Sequence, residues 1–429
     1  MMRHIIGICV LSAWALQTAQ AQNWPQWRGP NGDSVSKETG LPINWGENSN
    51  LLWKTQLPPW GNSTPVIWGD AIFLTSHQDD KLLVLKINKT NGKIEWTHEV
   101  GQGTAKREGD KREQKFHKLH NLASPSAVTD GNKVVFHFGS GNLLAFDFAG
   151  NQLWKRNLAE DYGAYTIWWG HANSPVLHEN LVISVCMQDS LNGVREKLAP
   201  SYLVAHNLEN GLEMWKSMRM TGAEAEQCDS YTTPVFHGSG DARQMLVMGG
   251  NQLDAYNPKT GQQIWSLPGL IGGRTITGPT VWQNMVLLTQ GQRGPLQAVR
   301  LGGQGELDKN KVVAWKDDQG TPDSCCPVVW EDLVFTVADN GIASCYDVRN
   351  GQRKWRERLK GDFKASPVDI GGRIYFLNTQ GMCTVVSASP RFDKLTENQL
   401  NDETLASPSV SDRRLYIRGK NALYCIGKP

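Results

Sequence analysis

Short apolar runs separated by glycine-containing turns repeat along most of the chain. The clearest copy spans residues 326–355, with apolar runs at Leu333–Val337 and Ala343–Asp347, a turn at Asn350-Gly351 and a final Trp355. Runs of this length, rich in β-branched and aromatic residues and bounded by Asn, Asp and Gly, predict strands. Gly permits the positive φ of a hairpin turn. The unit therefore predicts a meander of antiparallel strands that must stack on further copies to bury both faces.

A proline precedes the first apolar run of each copy. Proline suits the start of a strand, where no ladder donor is required. The eight strand-opening prolines are spaced 40 to 60 residues apart: Pro65, Pro125, Pro175, Pro234, Pro279, Pro327, Pro367 and Pro408. This spacing is typical of four-stranded propeller blades.

The two ends of the repeat region complement each other. The copy that opens at Pro408 has only three apolar runs before the chain ends, whereas residues 51–57 form an isolated strand before the first copy. Joining the two removes exposed sheet edges. We therefore predict an all-β, eight-bladed β-propeller of four-stranded antiparallel blades over residues 51–429, closed by the N-terminal strand.

The first 50 residues predict export and a leader. A short basic start, an apolar stretch too short to span a bilayer and the small-x-small site Ala19-Gln20-Ala21 predict a signal peptide over residues 1–21. Residues 22–50 are a turn-rich leader. No later segment is apolar enough to predict a transmembrane span, so we expect a soluble exported protein, periplasmic or secreted.

The charge of the chain and its number of cysteines indicate which partners and which disulfides can be expected. The chain has 44 Lys and Arg against 42 Asp and Glu, a net charge of +2. A nucleic-acid surface requires a strong basic excess, so no nucleic-acid partner is expected. Seven cysteines follow the signal peptide. An odd number in an exported protein leaves at least one thiol free or paired between chains.

The closing part of the repeat carries a recognisable motif. It reads Ala-x-Asp-x-x-x-Gly-x-x-x-Trp, with close copies at 145–154, 205–215, 255–265 and 345–355. This is the tryptophan-docking motif of the pyrroloquinoline quinone (PQQ) repeat, and residues 51–429 resemble that superfamily of eight-bladed propellers. Its members include quinoprotein alcohol dehydrogenases and the non-enzymatic assembly propeller of the BamB type. The resemblance implies the fold and leaves the function open.

Residues directly before the inner strands should share one rim of the central channel. Aromatic, His and Arg side chains converging on a concavity form a plausible ligand site, although they could also be stacking and turn residues. The candidate ligand-binding residues are His120, Trp168, Trp169, His171, Tyr231, Arg274, Cys325 and Cys326. A metal held by His120, His171 and Asp189 is a weaker alternative, because no closely spaced His or Cys cluster supports it.

The adjacent residues Cys325 and Cys326 are the reason to consider an enzyme as the alternative. Quinoprotein dehydrogenases cover one face of PQQ with a disulfide between adjacent cysteines, so the resemblance implies PQQ with Ca²⁺ as an alternative cofactor. Here the pair lies at the head of the sixth blade, not early in the chain. In the other interpretation both cysteines are reduced, or one replaces the usual Ser before Pro327. No calcium ligands or catalytic base can be assigned, so no cofactor is expected.

These observations favour an exported, non-catalytic binding or scaffold propeller. Its partner would be an unknown protein or small-molecule ligand at the mouth of the channel. The alternative is a PQQ-dependent alcohol or sugar dehydrogenase. The choice depends on fold analogy, which does not determine function by itself.

Overall fold

The computed structural model describes residues 23–103, 119–189, 199–292 and 294–429. The described strands form eight mainly antiparallel sheets that follow one another along the chain. The inner strands of neighbouring sheets contact each other, and the ring closes between the first and the last sheet. The predicted all-β, eight-bladed propeller is confirmed. The signal peptide predicted at residues 1–21 lies outside the described residues.

Two strands precede the first blade, β1 (Val35–Ser36) and β2 (Leu51–Gln56). Blade one contains β3 (Val66–Trp68), β4 (Ala71–Gln78), β5 (Lys81–Asn88) and β6 (Ile94–Gln102). Blade two contains β7 (Val128–Thr129), β8 (Lys133–His137), β9 (Asn142–Asp147) and β10 (Gln152–Asn157). Blade three contains β11 (Val176–His178), β12 (Leu181–Cys186), β13 (Tyr202–Asn207) and β14 (Glu213–Met218). Blade four contains β15 (Val235–His237), β16 (Gln244–Gly249), β17 (Gln252–Tyr256) and β18 (Gln263–Leu267).

Blade five contains β19 (Thr280–Trp282), β20 (Met285–Thr289), β21 (Leu296–Arg300) and β23 (Val313–Asp317), and the short β22 (Gly305–Glu306) pairs with β18 of blade four. Blade six contains β24 (Val328–Trp330), β25 (Leu333–Val337), β26 (Ile342–Asp347) and β27 (Arg353–Arg358). Blade seven contains β28 (Val368–Ile370), β29 (Arg373–Leu377), β30 (Met382–Ser387) and β31 (Lys394–Gln399). Blade eight contains β32 (Ser409–Ser411), β33 (Arg414–Arg418) and β34 (Ala422–Ile426).

Helical structure is scarce in the described residues. The α-helices are α1 (Leu158–Tyr162) and α2 (Lys309–Val312), and the 3-10 turns span Ala225–Gln227 and Gly240–Ala242. None of the helices in the described part of the chain has the length and apolarity that a membrane span needs.

The ring closes as the sequence predicted. β2 pairs antiparallel with β34, with Trp53 opposite Cys425 and Gln56 opposite Ala422. It supplies the fourth strand that blade eight lacks. The first and last segments of the propeller therefore share one sheet, which leaves no open edge between them.

Six docking tryptophans each donate a hydrogen bond to the following blade, whereas Trp265 of blade four donates to Gln244 of its own blade. The indole Nε1 of Trp154 donates to the carbonyl oxygen of Leu208 in blade three at 2.8 Å. Trp53, Trp96, Trp215, Trp315 and Trp355 donate to the following blade in the same way. Gly211 adopts φ 70°, and a Cβ added there would lie 2.8 Å from the Trp154 ring. The glycine of the motif is needed because the tryptophan of the preceding blade packs on it.

Blade seven obtains its tryptophan from the leader. Thr396 stands opposite Val385, the register position that Trp355 occupies opposite Cys345 in blade six. In its place Trp45 packs in the apolar cluster that joins blades seven and eight, with 5% of its surface exposed. Its backbone N–H donates to Asn398 Oδ1 at 3.0 Å. The leader therefore completes the interblade packing that blade seven cannot supply itself.

Candidate functional site

The first part of the leader closes one end of the central channel. Trp24 exchanges two backbone hydrogen bonds with Ile67 of blade one, and the carbonyl of Pro25 accepts the N–H of Thr129 in blade two. Further along, β1 pairs in parallel with β28 of blade seven. We call residues 23–36 the plug. The sequence predicted only a turn-rich leader here, because contacts with inner strands so distant in sequence leave no local pattern.

Arg28 fastens the plug to blades five and six. Its guanidinium is buried and donates to the carbonyl oxygens of Pro279 at 3.0 Å and Pro327 at 2.8 Å. It also donates to Thr280 Oγ1 at 2.7 Å, while its Nε donates to Ser34 Oγ within the plug at 3.1 Å. All four acceptors are neutral oxygens. Since an unsatisfied buried polar group is costly, this network fixes the position of the plug.

A belt of side chains surrounds the channel where the inner strands begin. At six of the eight belt positions the backbone N–H donates to the side chain of the next blade's belt residue. Thr64 N donates to Ser126 Oγ at 2.9 Å, and Ser126 N donates to Ser174 Oγ at 2.9 Å. The chain of bonds continues from Ser174 to Thr233, from Gly278 to Cys326, and through Ser366 to Ser407. The belt couples neighbouring blades at the channel wall.

The structure gives Cys326 a place in this belt. Its Sγ accepts the N–H of Gly278 at 3.1 Å, and its own N–H donates to Ser366 Oγ at 2.9 Å. The thiol thus stands where other blades have a hydroxyl. Cys325 is buried beside it, and both thiols are free. Burial raises the pKa of Cys325 well above its ordinary value, so its thiol stays protonated.

The plug turns the channel into a blind funnel that opens at the rim. The central funnel has a volume of about 480 Å³, within the range of small-molecule sites. Trp27 of the plug forms its floor, with the Arg28 guanidinium 5.6 Å from the ring centroid. The rim contributes polar, aromatic and apolar side chains. They include Asn62, Leu119, His120, Trp169, Tyr231, Arg274, Ile276, Gln292, Ser324, Lys364 and Leu405.

Hydrogen bonds position the aromatic and charged groups of the rim. Trp169 Nε1 donates to Glu226 Oε1 at 2.9 Å, and its backbone N–H donates to the hydroxyl of Tyr231 at 3.1 Å. The guanidinium of Arg274 contacts Glu226 at 3.3 Å and Asp323 at 3.2 Å. Burial raises the pKa of the Tyr231 hydroxyl well above its ordinary value, so it is neutral.

A second ion pair completes the rim on the side of blades six and seven. Lys364 donates to the carboxylate of Asp339, which also accepts the hydroxyl of Ser324 at 2.7 Å. The Lys364 ammonium lies 3.2 Å from Ser324 Oγ as well. Lys364, Ser324 and Gln292 were not among the candidates from sequence, although Lys364 and Ser324 directly precede inner strands as the candidates do.

Four of the eight candidate residues line the central funnel, and four do not. His120, Trp169, Tyr231 and Arg274 line the central funnel. Trp168 does not line it, but its ring packs at 81° against Trp169. Cys325, Cys326 and His171 are turned into the protein interior. The expected common rim is therefore formed by only part of the candidate set.

His171 is the clearest departure from the expectation. It is buried, and its ring stacks on Tyr165 at a centroid distance of 4.7 Å and contacts His137 at 4.8 Å. Burial lowers its pKa well below the ordinary value. Gly170, with φ 95°, separates Trp169 at the funnel from His171 in the interior. The direction of the chain at Gly170 therefore determines that Trp169 lines the funnel and His171 does not.

The possible metal-donor groups near the funnel form other contacts in the described residues. Across the described ranges, no three or more His, Cys, Asp or Glu side chains are grouped so that they could hold a metal ion. The weaker alternative from the sequence, a metal held by His120, His171 and Asp189, therefore finds no such group in the described residues. The rim carboxylates instead contact Arg274 and Lys364.

Known proteins place the chain in a family. The family model described as outer membrane protein assembly factor BamB matches residues 35–194 and 199–428. No curated protein matches the chain. The crystal structure of BamB from Moraxella catarrhalis is similar, with a TM-score of 0.59 at 14% identity, covering 88% of this chain and 99% of that one.

Dehydrogenase structures are similar too. The quinohemoprotein alcohol dehydrogenase from Comamonas testosteroni has a TM-score of 0.69 at 13% identity, covering 95% of this chain and 81% of that one. A europium-containing methanol dehydrogenase has a TM-score of 0.65 at 13% identity, with 92% and 89% covered. Identities this low show the fold alone. The chain belongs to the PQQ-repeat propeller family described as outer membrane protein assembly factor BamB.

Proposed function

We propose that this chain is an exported, non-catalytic binding or scaffold propeller whose ligand occupies the central funnel. The observation that carries the proposal is the division of the channel. One end of the channel is occupied by the plug, whereas the remaining part, from the belt to the rim, presents Trp169, Tyr231, His120 and Arg274 around a blind cavity. A pocket with a few convergent polar groups and aromatic walls is the usual form of a small-molecule site.

The same residues fit PQQ with calcium poorly. PQQ is a flat tricarboxylate that needs cationic partners, and a metal must polarise its reactive carbonyl. Arg274 and Lys364 already contact carboxylates. Cys326 is engaged in the belt, and neither Cys325 nor Cys326 lines the funnel. These features support the binding protein over the dehydrogenase.

The experiment is to incubate purified protein with PQQ and calcium, then record its ultraviolet-visible spectrum, its mass and its dye reduction with alcohols and aldoses. We expect no PQQ-dependent dye reduction. The Cys325→Ser variant is the matched control for any activity observed. Robust turnover that Cys325→Ser abolishes contradicts the proposal and favours the dehydrogenase.

Export is tested separately. Expressed with its own N-terminus in a bacterial host that exports proteins, the chain should be recovered outside the cytoplasm with Gln22 as its first residue. Mass spectrometry of the intact protein and of its N-terminal peptide gives the answer, since an N-terminal Gln that cyclises blocks Edman sequencing. Uncleaved protein retained in the cytoplasm contradicts this part of the proposal.

A further inference from the structure

The two cations of the funnel rim are paired with carboxylates of the protein. The guanidinium of Arg274 lies between the carboxylates of Glu226 and Asp323, and the ammonium of Lys364 contacts Asp339. Two cations therefore face three carboxylates among these groups. An anionic ligand would therefore meet an excess of negative charge, and any carboxylate that it displaced would be left partly buried without its partner. The rim thus disfavours an acid such as PQQ.

A neutral polar ligand meets no such penalty. Each alcohol hydroxyl both donates and accepts a hydrogen bond, so it can bridge an Arg or Lys N–H and the carboxylate paired with it. The amides of Asn62 and Gln292 offer further donors and acceptors at the rim. Several neighbouring hydroxyls on one ligand would satisfy this alternating arrangement without breaking an ion pair.

The belt adds donors deeper in the funnel. Ser126, Ser174, Thr233, Ser366 and Ser407 line the cavity, and the side-chain oxygen of each accepts a backbone N–H of the preceding blade. A hydroxyl that accepts one hydrogen bond keeps its proton for donation. The belt therefore favours a ligand that carries oxygen acceptors around its whole perimeter.

Aromatic and apolar surfaces supply the remaining contacts. Trp27 forms the floor and Trp169 a wall, with Ile276 and Leu405 between polar neighbours. Indole rings offer large rigid surfaces for apolar C–H faces. A pyranose ring presents apolar C–H groups on its faces and hydroxyls at its edge. Stacking on Trp27 or Trp169 would direct those hydroxyls toward the belt and the rim.

We propose that the central funnel binds a neutral carbohydrate, a monosaccharide or the end of an oligosaccharide, held between tryptophan faces and compensated ion pairs. This inference rests on the proposed function, because it names the ligand class of the same site. The plug makes the funnel blind, so a saccharide enters by its end and is not threaded through the channel. Binding requires no reaction and no cofactor.

The test is saturation-transfer difference NMR of the full chain with glucose, xylose, maltose and cellobiose at millimolar concentration. Gluconate and PQQ are the anionic comparators. We expect transfer to the ring protons of at least one neutral sugar, and none to gluconate. Transfer to no neutral sugar, or to the anions alone, overturns the carbohydrate proposal.

Two variants locate the binding. Trp169→Ala should raise the Kd of the bound sugar about tenfold or more, equivalent to about 1.4 kcal/mol. Trp282→Ala is the matched control, since Trp282 is a partly buried tryptophan outside the funnel whose Nε1 donates to Glu331 O. A Kd that Trp169→Ala leaves unchanged, with each variant folded by circular dichroism, overturns the site.

The outcomes distinguish this inference from the proposed function. If PQQ or gluconate binds and Trp169→Ala abolishes that binding without catalysis, the funnel remains the ligand site and only the carbohydrate class is wrong. If PQQ supports dye reduction, the non-catalytic function itself is wrong, whatever the sugars do. Sugar binding lost in Trp169→Ala, together with no dye reduction, supports both.

Discussion

The two ends of the inner channel are built from different kinds of interaction. At the plugged end, Trp24 and Arg28 are buried and bonded to backbone and hydroxyl oxygens of several blades. At the open end, Trp169, Arg274 and Lys364 are partly exposed around a cavity, and each bonds to a carboxylate. The first arrangement fixes the ring, and the second leaves polar groups in reach of a ligand.

The difference between the two ends shows that residue type alone does not identify the residues that line the funnel. Cysteines, histidines and tryptophans near the channel look equally functional in the sequence, whether they are buried or line the funnel. Cys326 and His171 belong to the buried part, whereas His120 and Trp169 belong to the open part. Substitutions should therefore separate into those that change stability and those that change binding. The following predictions, from the largest effect to the smallest, test that separation.

Removing an interblade tryptophan should have the largest effect on stability. Trp355→Ala and Trp45→Ala should each lower the free energy of unfolding by roughly 3–5 kcal/mol, the usual cost of a large-to-small change at a buried aromatic. Urea unfolding followed by fluorescence measures the loss. A Trp45→Ala change below about 1 kcal/mol, within ordinary surface scatter, would mean that the leader does not replace the tryptophan missing from blade seven.

Loss of the plug arginine should come next. Arg28→Met removes the donor that Arg28 supplies to the carbonyl oxygen of Pro279 and to Thr280 Oγ1, and each unsatisfied group costs about 1–3 kcal/mol. The carbonyl oxygen of Pro327 still accepts the hydroxyl of Thr280 at 2.9 Å. We expect about 3 kcal/mol in urea unfolding. The exposed Arg358→Met is the matched control. Equal effects of the two substitutions would show that the plug is not fixed by Arg28.

The plug should also make stability depend on pH. Asp369 is buried beside β1, and desolvation raises its pKa to about 8. The folded protein then keeps this carboxyl protonated between about pH 4 and pH 8, while the unfolded chain ionises it. Its contribution to stability therefore falls as pH rises through that window and is constant above it.

Asp369→Asn should remove this part of the pH dependence. At pH 7 it should stabilise the fold by at least about 1.4 kcal/mol, the equivalent of one pKa unit. Urea unfolding at a series of pH values checks the slope, with the exposed Asp362→Asn as control. A steeper fall in stability for Asp369→Asn than for the unsubstituted protein would contradict the assignment.

The smallest effect is expected at Cys326, where two substitutions test whether the thiol acts as a hydrogen-bond acceptor in the belt. Cys326→Ser keeps an acceptor for the Gly278 N–H and should change stability by less than about 0.5 kcal/mol. Cys326→Ala removes the acceptor and should cost about 1–3 kcal/mol. Identical losses for the two variants in urea unfolding would mean that the thiol acts by packing alone.

The fold was predictable because its signals are local and repeated. Strand-opening prolines, glycine turns and tryptophans recur with every blade, and the orphan strand at Trp53 located the closure. The position of the proline in blade two differs from that in the other blades. In blade two the belt residue is Ser126, followed by Ala127, so Pro125 directly precedes the belt residue, whereas the other prolines directly follow it. This offset of two positions leaves the assignment of the eight blades unchanged.

The site was only partly predictable. Position before an inner strand identified the rim, and Trp169, Tyr231 and Arg274 lie there. Side-chain direction depends on a single backbone turn at Gly170, which sequence spacing does not encode. The plug was missed because Arg28 contacts residues about 250 positions away in sequence. The indication of the plug in the sequence is Arg28, which lies between Trp27 and Gly29 in an otherwise turn-rich leader.

The most direct test of the account measures binding and stability on the same two variants. Titration with the neutral sugar that shows saturation transfer should find binding weakened in Trp169→Ala and unchanged in Cys326→Ala. Urea unfolding should find the reverse order of effects, with the larger loss of stability in Cys326→Ala. Binding abolished by Cys326→Ala in the folded protein, with Trp169→Ala unaffected, would contradict the assignment of function to the open end of the channel.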